Sequence, residues 1–278
     1  MFFRIAHHIA ISVLAIACSL VGAAVHAQDA KKVINATTIT TYPPFSFKDI
    51  ETGKLTGFDI DALNAVAEKM GVKVNWTETT FSQLASFASL KTGRIDMTGS
   101  GIADTPERRE LVNFVNYLYD PQFLFTRREN AEIIKNPGAL CGKPVAVTRS
   151  SVYMNDAVKQ WSNENCVKLG KPGVNIVGTD GTQYQQMLDQ GRVEAAMGGG
   201  AWLTYHNSQE GDRYVIVGKS LTKFMYGWAF RKDDMQFTES VKKGLAAIIA
   251  DGTYERIRRK WNMTEEFSIQ HAMINGQP

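Results

Sequence analysis

An α/β fold in two lobes is what this sequence predicts, and three observations predict it. Short apolar runs of strand character alternate with amphipathic helical runs along most of the chain. That alternation occurs twice, in two similar halves. An apolar extended segment borders the second half on each side, at 117–126 and 224–230, so two crossings join the lobes. With 278 residues, 44% of them hydrophobic, the chain can fill a core in each lobe. A cleft between lobes is a favoured place for a small-molecule site.

The elements follow in order. Residues 1–27 read as a cleaved signal peptide: Arg4 begins it, 9–25 is apolar, and Val25-His26-Ala27 supplies the small residues of a cleavage site. A membrane anchor is the competing reading, but the stretch is slightly short for one. Lipidation at Cys18 ranks second, because Ala15 stands where leucine is usual. Val33 to Thr38 is a strand, and Thr41 to Phe47 an extended turn stiffened by Pro43 and Pro44. Tyr42, Phe45 and Phe47 there exceed what core packing needs, so part of this loop suits an apolar wall for a ligand. Asp59 sits where a cap belongs, ahead of a helix through Met70. Val72 to Trp76 is a strand, Ser82 caps a helix ended by Gly93, and Ile95 to Thr98 is the next strand. In the second half, strands at 144–148, 174–177, 193–197 and 214–217 alternate with helices beginning near Ser150 or Ser151, Thr182 and Trp202. Two amphipathic helices, 235–250 and 252–261, close the pattern around Asp251-Gly252.

The chemistry concentrates at Gly99 to Phe114. A strand end and glycine turn lead into a helix start, with Asp104 or Thr105 as cap and Pro106 at the first helical position. Unpaired backbone N–H groups at such a start suit an anion. Arg108 adds a rigid fork that matches a carboxylate. Gly101, Ala103 and Arg108 are therefore expected to hold a ligand carboxylate, against the plainer reading of a solvated surface arginine.

Other chemistries find no support. The net charge of +3 is dispersed, and becomes +2 once Arg4 leaves (30 minus 28), so nucleic-acid binding is not indicated. His206 and His271 are far apart, with no metal-ligand spacing. There is no phosphate loop, dinucleotide fingerprint or nucleophile elbow. No cofactor and no metal are expected. Cys141 and Cys166 form an even pair, read as a disulfide in an oxidising compartment or else as two buried thiols.

Taken together, Tyr42-Pro-Pro-Phe45, Gly57-Phe-Asp-Ile-Asp61, Leu90-Lys-Thr-Gly-Arg-Ile-Asp96, Thr105-Pro-Glu-Arg108, Gly191-Arg-Val-Glu-Ala195, Arg231-Lys-Asp233 and the Gly252–Trp261 stretch form a known pattern. In this order, across residues 30–262, they resemble the extracytoplasmic solute-binding proteins of polar amino-acid ABC importers. The resemblance implies a type II periplasmic-binding-protein fold. Lobe 1 would comprise 28–122 plus 224–278, and lobe 2 residues 123–223. It implies a carboxylate held by Arg108 with backbone groups near Gly101 and Ala103, a helix start near Ser150 and Ser151 assisting, and Tyr42 covering the ligand. Phe45 joins that aromatic wall. Leu140-Cys-Gly-Lys143 with Cys166 resembles a branch of the family that carries a disulfide there.

Three positions depart from the family. Ala103 keeps the N–H but lacks the usual hydroxyl. Glu78 stands where an aromatic is common. Gly199 stands where an aspartate usually meets the ligand's α-ammonium. A buried ammonium without a partner is costly. Either Glu78 or another acid takes that role, or the ligand lacks an ordinary α-amino group. The expected function is capture of a small carboxylate-bearing solute, an amino acid or derivative, by a periplasmic monomer that delivers it to a membrane ABC permease. The alternative is an exported cyclohexadienyl-type dehydratase with Glu78 as its acid. A sensory domain that signals through a partner is a third reading.

Overall fold

The computed structural model describes residues 33–278 except 150, 181 and 182. The expected signal peptide, Cys18 and Ser150 lie outside the described residues. In chain order the elements are β1 (Val33–Thr38), β2 (Thr41–Tyr42), β3 (Ser46–Lys48), β4 (Leu55–Thr56), α1 (Phe58–Lys69), β5 (Lys73–Glu78), α2 (Phe81–Ser86) and α3 (Ala88–Lys91). There follow β6 (Met97–Thr98), β7 (Ile102–Ala103), α4 (Pro106–Arg109), β8 (Val112–Arg127), α5 (Ala131–Lys135), β9 (Pro144–Thr148), α6 (Val152–Asn165), β10 (Asn175–Thr179) and α7 (Tyr184–Asp189). The last are β11 (Ala195–Gly199), α8 (Gly200–Glu210), β12 (Tyr214–Arg231), α9 (Met235–Ala250), α10 (Thr253–Lys260) and β13 (Met273–Ile274).

The main sheet runs β10-β9-β11-β8-β12-β6-β1-β5. Its two outer parts are parallel, β5-β1-β6 and β10-β9-β11, as expected where helices connect successive strands. The long antiparallel pair β8 and β12 lies between them. This pair contains both predicted crossings. The separate strands expected at 214–217 and 224–230 are one strand, because the chain continues through an irregularity after Val217, where Gly218 takes φ +76°.

Apolar packing divides along the same line. One core gathers Ile34, Leu63, Val115, Trp228, Leu245 and Phe267 around α1 and α9. Another gathers Leu124, Val145, Val147, Val158 and Met197 under α6. On the opposite face of that part of the sheet, Phe125, Tyr184, Trp202 and Tyr214 pack at ring separations of 5.1–5.8 Å. Cys141 and Cys166 are joined as a disulfide.

Some local expectations fail for identifiable reasons. Thr80, not Ser82, caps α2, in a reciprocal box with Gln83. The helix expected through Gly93 breaks at Phe87, which adopts a left-handed conformation while its ring is buried. Asp59 caps nothing: Gly57 is the N-cap residue of α1, and the Asp59 side chain turns into the core. Gly57 is required twice over. Its φ is +133°, and a Cβ there would lie 2.2 Å from the Phe45 carbonyl oxygen.

Candidate functional site

Where the two parts of the sheet face one another they enclose a cavity of about 420 Å³. Its walls come from both sides of the β8–β12 pair. Tyr42, Gly101, Ala103, Thr105, Glu107 and Arg108 contribute from one side, and Ser151, Val152, Tyr153, Met154, Tyr184, Gly198 and Gly199 from the other. Gln122, Phe224 and Tyr226 line it from the crossing strands.

Arg108 is positioned by the short turn that the sequence specifies. Thr105 caps α4 by accepting the Arg108 N–H at 3.4 Å, and Pro106 occupies the first helical position. The guanidinium folds back so that Nη1 donates to the Ala103 carbonyl at 2.7 Å. Among the described residues it makes no other hydrogen bond and no ion pair, so the rest of the fork remains free to bond a ligand. Burial pushes its pKa down, which an incoming anion would reverse. The neighbouring Arg109 is differently placed. It is committed to Asp104 by two bonds of 2.6 and 3.0 Å.

The aromatic wall is thinner than its sequence suggested. Tyr42 lines the cavity, and its hydroxyl lies 3.3 Å from that of Tyr226. Phe45 is wholly buried behind it, with its ring centroid 4.9 Å from Tyr42 and 5.3 Å from Tyr226. It buttresses the wall without lining it. Phe47 packs instead on Tyr205 and Trp261. Gly101 leaves little room for a side chain, since a Cβ there would meet the rings of Tyr226 and Phe45 at 3.1–3.2 Å.

On the far wall, Ser151 caps α6 by accepting the Met154 N–H, which directs the first turn of a 14-residue helix at the cavity. Two residues on, the Tyr153 hydroxyl donates to both Glu107 carboxylate oxygens, at 2.6 and 2.8 Å. This bond bridges the two sides of the cavity at its rim. It lowers the Glu107 pKa and raises that of Tyr153.

Glu78 is away from the cavity. It ends β5, the edge strand of the sheet, and pairs with Lys48 at 2.7 Å with both side chains half exposed. The strand register directs it to the surface, which removes the acid suggested for ammonium binding or catalysis. Gly199 does line the cavity, and it offers no charge. The sequence reading missed Gln122, Tyr153, Tyr184, Phe224 and Tyr226. It also missed Asp120, a lone acid inside the apolar run 117–126 and wholly buried beside Gly199. An unpaired charge inside a strand that otherwise reads as core was the available signal. Burial raises its carboxyl pKa to about 6, opposed by the Ala201 amide and the Gln122 side chain. Asp59 is raised further, to about 8, again by burial. Tyr117, the Gly101 amide and Trp228 surround it and oppose the rise, yet neither carboxylate oxygen is in hydrogen-bond geometry. No group of three or more His, Cys, Asp or Glu among the described residues could hold a metal ion.

Comparison with known proteins gives consistent matches. The family model described as "Bacterial extracellular solute-binding proteins, family 3" matches residues 34–264. An L-arginine-binding protein of Pseudomonas aeruginosa is 32% identical over 79% of this chain and 84% of its own. An L-cystine-binding protein of Bacillus subtilis is 27% identical over 83% and 81%. Among solved structures, an ancestral arginine-binding protein bound to arginine is 33% identical, with a TM-score of 0.68 over 84% of this chain and 99% of that one. An ancestral amino acid-binding protein described as a precursor of cyclohexadienyl dehydratase is 30% identical, with a TM-score of 0.66 over 83% and 95%.

Proposed function

The chain belongs to the bacterial extracellular solute-binding proteins of family 3, and from that premise we propose that its cavity takes a small amino acid or close derivative, carboxylate first, for delivery to an ABC permease. The observation that carries this reading is the half-free guanidinium of Arg108 in a cavity of amino-acid size. The Ala103 backbone and the first turn of α6 assist it, Tyr42 covers the ligand, and the Gly101 amide, expected to help hold the carboxylate, is turned toward Asp59 instead. The division into 28–122 plus 224–278 against 123–223 follows the β8–β12 pair, and the split between cores supports it. A ligand touching both walls favours the closed arrangement by its differential affinity, and that closed shape is what a permease reads. The protein reaches its compartment through a signal peptide at 1–27 and works there as a monomer.

A binding role rather than catalysis is supported by the position of Glu78. The dehydratase reading rested on that acid, and it is at the surface in a pair with Lys48. A thermal-shift screen of the twenty standard L-amino acids, L-cystine and small carboxylates tests the proposal. A ligand at a hundred times its Kd adds ~2.7 kcal/mol, a readily measured rise in Tm. A panel in which no carboxylate raises Tm would overturn it.

A further inference from the structure

One buried anion behind the cavity wall has no cation partner among the described residues. Asp120 lies on β8, opposite Phe224 of β12, and is fully buried. Its Oδ1 accepts the Ala201 N–H at 3.1 Å, and its Oδ2 accepts the Gln122 side-chain amide at 3.0 Å. Among the described residues it forms no ion pair. The Tyr226 hydroxyl and the Gly200 amide add to these two donors, but neutral donors offset only part of the cost of burying a charge.

Its position accounts for Gly199. The backbone there is extended, φ −72° and ψ 144°, a conformation open to any residue. Glycine is imposed by the neighbour instead, since a Cβ would lie 2.1 Å from Asp120 Oδ2 and 3.0 Å from its Cγ. The Asp120 carboxylate fills the volume into which a side chain at 199 would project. Gly199 and Gln122 both line the cavity, so this carboxylate is one residue deep. Tyr42 and Tyr226 also line the cavity and lie close enough to Asp120 to feel its charge, and aromatic faces tolerate a cation.

A purely structural role is the rival account. α8 begins after Gly199, which has no side chain to cap it, and Asp120 supplies the missing acceptor. A cap needs an acceptor but no charge, and asparagine serves as well.

We propose that Asp120 is the ligand's ammonium partner, carried by the crossing strand in place of an acid at position 199, and that the ligand is therefore a zwitterionic α-amino acid. This rests on the carboxylate reading above. The ammonium replaces the Gln122 amide as the donor to Oδ2, while the Ala201 bond keeps the carboxylate in place.

The experiment is calorimetry with matched probes: the tightest-binding L-amino acid of the screen and its 2-hydroxy acid. Wild-type protein should prefer the amino acid by roughly 30-fold or more. D120N, which preserves the cap, should abolish that preference while keeping its affinity for the 2-hydroxy acid. The exchange variant D120G/G199D, which returns the acid to the opposite strand, should recover part of the preference. A preference that survives in D120N, or equal loss of both probes in a folded D120N, would overturn the assignment. A wild-type protein that binds 2-hydroxy acids as tightly as amino acids would overturn it also, while leaving the carboxylate reading standing. Binding of neither class would sink both.

Discussion

Adjacent arginines behave differently because their partners do. Arg109 is held by Asp104, whereas Arg108 gives one nitrogen to a backbone carbonyl and keeps the rest of its fork toward the cavity. R108A should therefore weaken ligand binding by about 2–5 kcal/mol, measured as Kd by calorimetry, because a desolvated carboxylate loses its charged partner. An unchanged Kd would remove Arg108 from the site. Two of the buried acids, Asp59 and Asp120, predict pH effects of definite sign. Asp59 titrates near 8 in the folded chain and near 4 when unfolded, so folding takes up a proton. A raised carboxyl pKa costs stability progressively as pH climbs from about 4 to about 8. The Tm of D59N relative to wild type should accordingly improve across that window, by scanning calorimetry. A difference independent of pH would contradict the buried acid. For Asp120 the effect falls on binding. It faces Tyr42, Tyr184 and Tyr226, all with pKa values raised by burial, so it is the group there that titrates near 6. Pairing with an ammonium needs its ionised form. Affinity should fall below about pH 6, approaching tenfold per pH unit, and D120N should show no such fall.

At the scale of elements, legibility tracked how local the determining interaction is. Arg108 was legible because Thr105, Pro106 and Arg108 fix a single turn among themselves. The closing helices were legible from their periodicity and Gly252, and α9 and α10 begin and end within two residues of expectation. Glu78 was misplaced because only the β1–β5 register decides which way the end of β5 faces. Asp120 and Gly199 are 79 positions apart, and their mutual exclusion exists only once β8 and β11 pair. The α2–α3 break at Phe87 likewise coincides with the burial of that ring, which no local signal in the sequence marks. The disulfide ties the start of β9 to the end of α6 across 25 residues of chain. In the chain-entropy model such a loop adds about 3 kcal/mol. The C141S/C166S variant should unfold several degrees lower than wild type, with its ligand Kd little changed, since neither cysteine lines the cavity. Equal Tm values would show that the crosslink contributes nothing.

For the whole molecule, the essential feature is a pair of sheet halves, each with its own core, that meet over a cavity and touch at its rim. The Tyr153–Glu107 bond is one such touch, and Phe47 against Tyr205 joins the halves at residues that do not line the cavity. Y153F removes the first while leaving the aromatic ring in the wall. Because that bond is exposed, the loss should be modest, roughly threefold to tenfold in Kd, and should be expressed chiefly as faster dissociation in stopped-flow measurements. An unchanged dissociation rate would mean that the rim bond does not hold the halves together. The account as a whole rests on a carboxylate bridging Arg108 and the far wall. The most direct test is a crystal structure of the protein with the tightest-binding ligand of the thermal-shift screen. The account predicts the ligand carboxylate at ~3 Å from the Arg108 guanidinium, within hydrogen-bond reach. A ligand whose carboxylate lies at another part of the cavity, or outside it, would contradict it.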